Sequence, residues 1–375
     1  MNEYLLNNCI EIDFQKFLYP LNLCNFIVYS PKYNISENFI TPNNRKTNCR
    51  SFCCAFWYIL IYIISLVYNK DFNYYEGILL YLFLIIFIIS IGSFVINYIV
   101  NSIQSEIHVN FILTINKIQK SFKYVNIDFK SFLIGNWIYM FVLIISYIFM
   151  ILTHLYEYNF TIVLCLYYIS LIICDANIIY LVRVIELLTD VTMTWMSELK
   201  YLDNITSDTV NTENTESLNL RQYWNTLIKS YLDITNAASL YEEIARIPII
   251  FYMSADLFNI LLHVEVFLMF PDDFWSNAVT GLVWAFKHFL LIVIISFKNE
   301  KFFTTLKNTQ VMFLIPDSPV EFPDKRLLSK TVLRAGNAAC MSRESGAFAL
   351  DATLPLSLFS CIATYVVVLL QFKLT

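Results

Sequence analysis

Long apolar runs, separated by polar segments of unequal length, set the pattern of this chain. A bilayer core of ~30 Å calls for about 20 apolar residues per helix. Seven segments fit that rule: Phe52–Tyr68, Gly77–Val100, Leu133–Leu155, Phe160–Val182, Pro248–Phe270, Asn277–Phe297 and Gly346–Phe372. The pattern predicts an all-α membrane protein with seven transmembrane helices. The polar segments alternate in length. Those at 69–76, 156–159 and 271–276 hold 4 to 8 residues, whereas the internal ones at 101–132, 183–247 and 298–345 hold 32 to 65. Within 183–247, Val184–Lys200 and Leu220–Ile247 have helical spacing and read as continuations of the fourth and fifth spans. The polar run Tyr201–Asn219 between them reads as a flexible linker. Segment 298–345 contains a Pro-rich turn, Pro316–Lys325, followed by a short polar helix at Leu327–Ser345. Pro355 is expected to break the last span from the segment before it, and Pro248 to mark the start of the fifth.

Composition agrees with the pattern. Of 375 residues, 58% are hydrophobic and only 15% charged, against roughly 25% charged in soluble chains. The net charge of -5 says little here, but the placement of each charge says more. Segments 1–51, 101–132, 183–247 and 298–345 hold 5, 4, 5 and 8 basic residues, 22 of the 25 in the chain. The short segments and the C-terminal tail hold only Lys70 and Lys373, and Lys287 lies within a span. Positive charge collects on the cytoplasmic side, so the N-terminus is expected inside and the C-terminus outside. The expected organisation is a cytoplasmic N-terminal segment (1–51), spans one to four (52–182), cytoplasmic helical extensions with the linker (183–247), spans five and six (248–297), a cytoplasmic anchor segment (298–345) and the last helix (346–375). The protein is expected at the plasma membrane as a multi-pass chain in contact with lipid, without a secretory leader, since Glu3, Glu11 and Asp13 interrupt any apolar core. The nine Cys include an adjacent pair, Cys53-Cys54, and no C-x-x-C. No disulfide framework, metal site, cofactor or nucleic-acid partner is expected.

The last span carries a stripe. Thr353, Ser357, Ser360, Thr364 and Gln371 fall within an arc of roughly 60° at 100° per residue, and Val367 completes it. A hydroxyl stripe in hydrocarbon is unfavourable unless it faces partners or water. One reading is a helix–helix seam, where small side chains allow close approach. The other is a pore wall, which needs several subunits around an axis, because one helix encloses nothing.

The run TYVVVLLQF, Thr364–Phe372, resembles the Thr-Tyr, five-apolar, Gln-Phe ending of insect gustatory receptors. The match rests on Thr364, Tyr365, Gln371 and Phe372, and on their place near the C-terminus. Chain length, seven spans, orientation and short outside loops agree in outline. The resemblance implies a tastant-gated, non-selective cation channel, assembled as a homotetramer or as a heteromer with related receptors, and not an enzyme. It implies that the last span lines the pore, with Gln371 at the gate and Tyr365 and Phe372 coupling the pore helix to its neighbours. It places a ligand pocket among spans two to six. Receptors of this kind that respond to larger sugars typically have Glu after the Thr-Tyr pair, whereas Val366 stands here. That favours a bitter-type or fructose-type ligand.

Polar and aromatic residues within the middle spans are the ligand candidates: Tyr147 and His154 in span three, Tyr167 and Tyr168 in span four, Asp256, Asn259, His263 and Glu265 in span five, and Trp284, Lys287 and His288 in span six. Intramembrane ionisable groups are costly and usually functional. An aromatic box with a few polar groups suits an alkaloid or a sugar. The same groups could instead satisfy one another, Glu265 and Lys287 as an ion pair across spans five and six. Asp175 and Arg183 lie deeper towards the inside and are assigned to such internal pairing. Two other classes fit less well. A G-protein-coupled receptor would place the basic residues on the opposite loops and would carry Asp-Arg-Tyr and Asn-Pro-x-x-Tyr. A heptahelical membrane hydrolase would need clustered metal-binding histidines, and no H-x-x-x-H occurs. A non-conducting accessory subunit of a heteromeric receptor stays open as an alternative.

Overall fold

A computed structural model describes residues 8–27, 30–68, 78–125, 127–157, 162–208, 214–269, 274–314, 330–338 and 353–374. The fold is all-α apart from one short hairpin. In chain order the elements are α1 (Ile12–Ile27), β1 (Asn34–Ser36), β2 (Phe39–Thr41), α2 (Arg45–Tyr68), α3 (Ile78–Ile103), α4 (Ser105–Ser121), α5 (Phe129–Glu157), α6 (Ile162–Asp208), α7 (Asn214–Met269), α8 (Phe274–Leu314) and α9 (Leu354–Leu374). The described parts of the seven expected spans fall on α2, α3, α5, α6, α7, α8 and α9, and residues 346–352 of the last lie outside the described residues. By length and apolarity alone, Arg45–Ile64, Phe129–Leu152 and Gln222–Leu261 are sufficient to cross a bilayer among the described residues. The segments Ile88–Ile103 and Ser105–Ser121 qualify only together and are bent by 59° at their junction, and Leu354–Val368 is a shorter apolar helix.

One expectation is narrowed. The linker reading of Tyr201–Asn219 does not hold at its two ends, because α6 runs on to Asp208 and α7 begins at Asn214, and 209–213 lie outside the described residues. Packing explains the helix there. Leu199 and Leu202 are buried, Tyr124 contacts both Tyr201 and Tyr223 at ring-centroid distances of 4.6 and 5.6 Å, and Trp195 Nε1 donates to Leu227 O at 2.9 Å. Such contacts outweigh the weak helix propensity of Asn, Ser and Thr. Pro248 joins the expected extension Leu220–Ile247 to the fifth span. It lies inside α7, where its missing N–H leaves the Ile244 carbonyl without the usual helical donor. Helix α9 starts at Leu354, so Pro355 occupies its first turn, where no donor is required, and the segment it was expected to break from lies outside the described residues. The Pro-rich turn and most of Leu327–Ser345 lie outside the described residues, although 330–338 is helical.

The core is one continuous cluster running from Ile10 to Leu358, with a small satellite of Ala55, Phe94, Tyr98 and Ile173 under α2. Helix α6 is its spine. Nearly every residue from Leu171 to Thr192 is buried, the polar Asp175, Asn177 and Arg183 included. Helices α2 and α5 instead display Phe56, Trp57, Phe141, Ile145, Ile148 and Phe149 outward, a surface suited to lipid.

At the basic end, segments the sequence left without structure are ordered. Helix α4 is amphipathic, with Phe111, Ile112, Ile115 and Ile118 buried, and packs along α7. Helix α1 seats Phe14, Phe17, Leu18 and Leu21 in the core, and Asn136 Nδ2 fastens it by donating to Phe17 O at 2.8 Å. The hairpin turns on Glu37 and Asn38, both at positive φ (47° and 73°), the backbone of a two-residue type I′ loop. Glu198, fully buried, caps the chain after α4: its Oε1 accepts from the N–H groups of Lys123, Tyr124 and Val125 at 2.6, 2.6 and 3.1 Å.

Lys32 is buried beside this end, with Nζ donating to Asn101 Oδ1 at 2.7 Å and lying 4.8 Å above the Tyr180 ring. Burial lowers its ammonium to about 7. Burial, and then the Lys32 charge, holds the neighbouring His108 well below the ordinary imidazole value. The sign of the linkage follows. The unfolded chain binds more protons than the folded one between about pH 7 and the ordinary lysine value of 10.5. The Lys32 penalty is therefore complete below pH 7 and fades as pH rises towards 10.5. Thermal unfolding of the solubilised protein should show stability rising over that window. In Lys32→Met the rise should flatten.

Candidate functional site

The stripe on α9 is present as a surface. Thr353, Ser357, Ser360, Thr364, Val367 and Gln371 are all exposed on the single chain, and Tyr365 is half-buried. Helix α9 packs on α7 and α8 and sinks Pro355 and Leu358. Two hydroxyls bond back to their own helix: Thr364 Oγ1 donates to Ser360 O at 2.8 Å and Ser357 Oγ to Thr353 O at 3.2 Å. This local bonding lowers the cost of the stripe in hydrocarbon, a route the sequence reading did not weigh. The Phe372 side chain lies outside the described set.

The middle spans hold a buried polar cluster where α5, α6, α7 and α8 meet. At its centre is Asp175 of α6, with no exposed surface. Its Oδ2 accepts from the Tyr147 hydroxyl at 2.7 Å and from Lys287 Nζ at 2.6 Å, and its Oδ1 from the Tyr252 hydroxyl at 2.9 Å. Lys287 Nζ also reaches Tyr147 Oη at 2.9 Å and lies 4.1 Å from that ring's centroid. His288 Nδ1 is 2.7 Å from Tyr252 Oη, 3.0 Å from Asp256 Oδ1 and 3.6 Å from Asp175 Oδ1. Tyr252 has one proton and gives it to Asp175. Tyr252 can then only accept from the imidazole, which places a proton on Nδ1.

Most ligand candidates converge here. Tyr147, Asp256, Asn259, Trp284 and His288 are buried, and Lys287 is nearly so. Trp284 lies 4.1 Å from the His288 ring. Tyr168 meets Tyr147 edge-on at 6.1 Å and Tyr167 at 5.7 Å, extending the aromatic wall. Side chains of His154, His263 and Glu265 lie outside the described set. Lys287 pairs with Asp175, in keeping with the internal pairing assigned to that deeper carboxylate, and the pairing expected with Glu265 falls on a side chain outside the described set. Arg183 keeps its assigned internal role, bonding Asn136, Phe132 O and Glu186.

Against the cluster lies a small cavity between α3, α6, α7 and α8, of about 20 Å³. Ser90, Asn97, Cys174, Tyr252, Asp256, Asn259 and His288 are in its lining. That is room for a water molecule, far less than the ~300 Å³ of a ligand pocket. Among the described residues, Asp256 Oδ2 and His288 Nε2 are buried with no hydrogen-bond partner. Asn97 donates to Cys174 Sγ at 3.1 Å and accepts from Asn177 at 2.9 Å, and Ser90 pairs with Ser170 at 2.6 Å. The α3 contribution had a sequence signal that went unread: Ser90, Ser93, Asn97 and Asn101 recur at spacings of 3, 4 and 4 along an apolar span. Among the described residues no group of three or more His, Cys, Asp or Glu could hold a metal ion.

No family model matches the chain, and no curated protein matches it. Among solved structures, the insect olfactory receptor OR5 from Machilis hrabei is similar in outline, at 11% identity over 96% of this chain and 99% of that one, with a TM-score of 0.49. At that overlay the likeness bears neither on ligand nor on assembly.

Proposed function

We propose that the chain is a chemosensory receptor, a multi-pass plasma-membrane protein whose subunits form a cation channel opened by a small extracellular molecule of bitter or fructose type. The carrying observation is the Asp175, Asp256, Lys287 and His288 cluster. An apolar bundle has no structural need of four ionisable groups, and Asp256 and His288, each with a buried polar atom (Oδ2 and Nε2) that has no hydrogen-bond partner among the described residues, are in the lining of a cavity. A protonated amine suits the carboxylate oxygen, and a sugar hydroxyl suits the imidazole and Asn259. Binding has to widen a cavity this small, so occupancy shifts α3, α7 and α8 relative to one another, and α9 packs on two of these. The ending at Thr364, Tyr365, Gln371 and Phe372 supports the channel reading, with the exposed α9 stripe of four subunits facing a common axis.

The test is current recording from cells expressing the chain, with fructose set against a panel of bitter amines. Asp256→Asn is expected to raise the half-activating concentration of an amine about 10- to 100-fold, the loss of one charge-assisted hydrogen bond, while leaving conductance per channel unchanged. Gln371→Leu is expected to do the reverse, changing permeation or the open fraction with little change in ligand binding. If conductance and gating survive Gln371→Leu intact, α9 does not line the path. If no compound of either type evokes current or binds, the receptor reading fails.

A further inference from the structure

The Cys53-Cys54 pair has no part in the site above, and the structure adds Cys49 one turn earlier on α2. Arg45, Asn48, Cys49, Phe52, Cys53, Phe56 and Trp57 line a single shallow groove, and their spacing of 3, 4 and 7 places them on one helix face. The Cys49 and Cys53 thiols are exposed, whereas Cys54 is half-buried. Phe52, Phe56 and Trp57 are 48, 63 and 60% exposed, so the face is apolar and open. The basic residues Arg45, Lys46 and Arg50 are confined to the first turns of the helix. This charge distribution sets the level of anionic headgroups at Cys49, with Cys53 about 6 Å deeper.

Resting on the membrane reading proposed above, with α2 starting at the inner surface, we propose that Cys49 and Cys53 are S-acylation sites, modified by a long-chain acyl thioester. The cysteine loses its proton and its thiolate sulfur attacks the donor's carbonyl carbon. A new carbon–sulfur bond forms, the donor's own breaks, and the donor leaves as a thiolate that takes up a proton. Nothing is oxidised or reduced. The basic first turns concentrate an anionic donor at the surface. The Phe52, Phe56 and Trp57 face then offers an apolar track for the chain beside Cys53. The consequence falls on α2, which meets the bundle through the small satellite core, the buried Tyr62 and the Tyr58 hydroxyl that donates to Leu166 O. Acyl chains parallel to its outer face pin it at the correct depth.

The experiment uses the full chain expressed in animal cells. Free thiols are blocked with maleimide, thioesters are cleaved with neutral hydroxylamine, and the released thiols are tagged with a polyethylene-glycol maleimide. A hydroxylamine-dependent shift of two tags is expected, falling to one in Cys49→Ser or Cys53→Ser and to none in the double variant. Mass spectrometry of the wild-type peptide spanning Cys49 to Cys54 should show the acyl mass, so the outcome does not depend on any variant folding. A missing shift overturns the proposal, as does a shift that persists in the double variant, or a Cys49–Cys53 disulfide in the peptide. A membrane-impermeant maleimide separates the two readings. Labelling of Cys49 on intact cells contradicts the orientation, whereas labelling only after permeabilisation, with no acyl shift, refutes acylation alone.

Discussion

Asp175→Asn is expected to be among the most damaging single substitutions in the bundle. The carboxylate is fully buried and answers three donors, the Tyr147 and Tyr252 hydroxyls and the Lys287 ammonium. An asparagine keeps one acceptor oxygen for one tyrosine, turns an NH2 donor towards the other, and leaves Lys287, only 15% exposed, without its counter-charge. Breaking a buried pair by removing one partner costs about 3–5 kcal/mol, whereas replacing both by well-packed apolar groups is often neutral. The double variant Asp175→Asn/Lys287→Met should therefore recover most of the stability lost by Asp175→Asn. Thermal unfolding of solubilised protein, read alongside surface expression, measures all three. Equal instability of the double and the single variant would show that the ion pair is not what holds the residues there. The cycle also separates fold from function, since a recovered double variant that responds to no ligand places the charges in recognition.

Arg183→Met is expected to cost about 2–4 kcal/mol, for a different reason. Its guanidinium is 8% exposed and serves three acceptors at once: Asn136 Oδ1, Phe132 O at 3.1 Å and Glu186, which also pairs with Lys298. It also lies 5.1 Å from the Phe132 ring and 5.3 Å from that of Tyr139. Methionine fills the space but leaves a buried carbonyl and amide oxygen unsatisfied, at ~1–3 kcal/mol each. Lysine should do little better, having no planar fork to reach them together. Gly135 gives an independent check. A β-carbon there would lie 2.8 Å from Arg183 Nη2, so Gly135→Ala must push the guanidinium aside and should lose about 1 kcal/mol by itself. In Arg183→Met, whose side chain can bend away, the added methyl should cost less.

The apolar runs are legible in the sequence because about twenty consecutive positions must tolerate hydrocarbon, and no single residue erases that signal. The basic end is not legible in the same way. Its helices are held by contacts between distant segments, such as Trp195 with Leu227 and Asn136 with Phe17, and local propensity says nothing of those. The same limit hides the partner of Lys287. Asp175 and Glu265 are both isolated acids in apolar helices, and spacing along the chain cannot tell which faces Lys287. The candidates Tyr147, Asp256, Asn259, Trp284 and His288 do converge with Lys287, because a polar group in such a setting has few places to turn except inward. Asp175 could be seen but not ranked. Tyr252 was not visible at all, because a tyrosine in an aromatic-rich chain carries no mark until its hydroxyl has a partner.

Helix α7 has 56 residues, ~84 Å at 1.5 Å per residue, nearly three times the thickness of a bilayer core. Asp256 and Asn259 stand on one arm of it, and the surface that grips α4 on the other, with Pro248 between. Such a rod behaves as a seesaw. A tilt of about 5° around its middle would carry each tip by roughly 4 Å, taking its length from the helical rise. Motions too slight to notice around a bound molecule would arrive magnified at the far end.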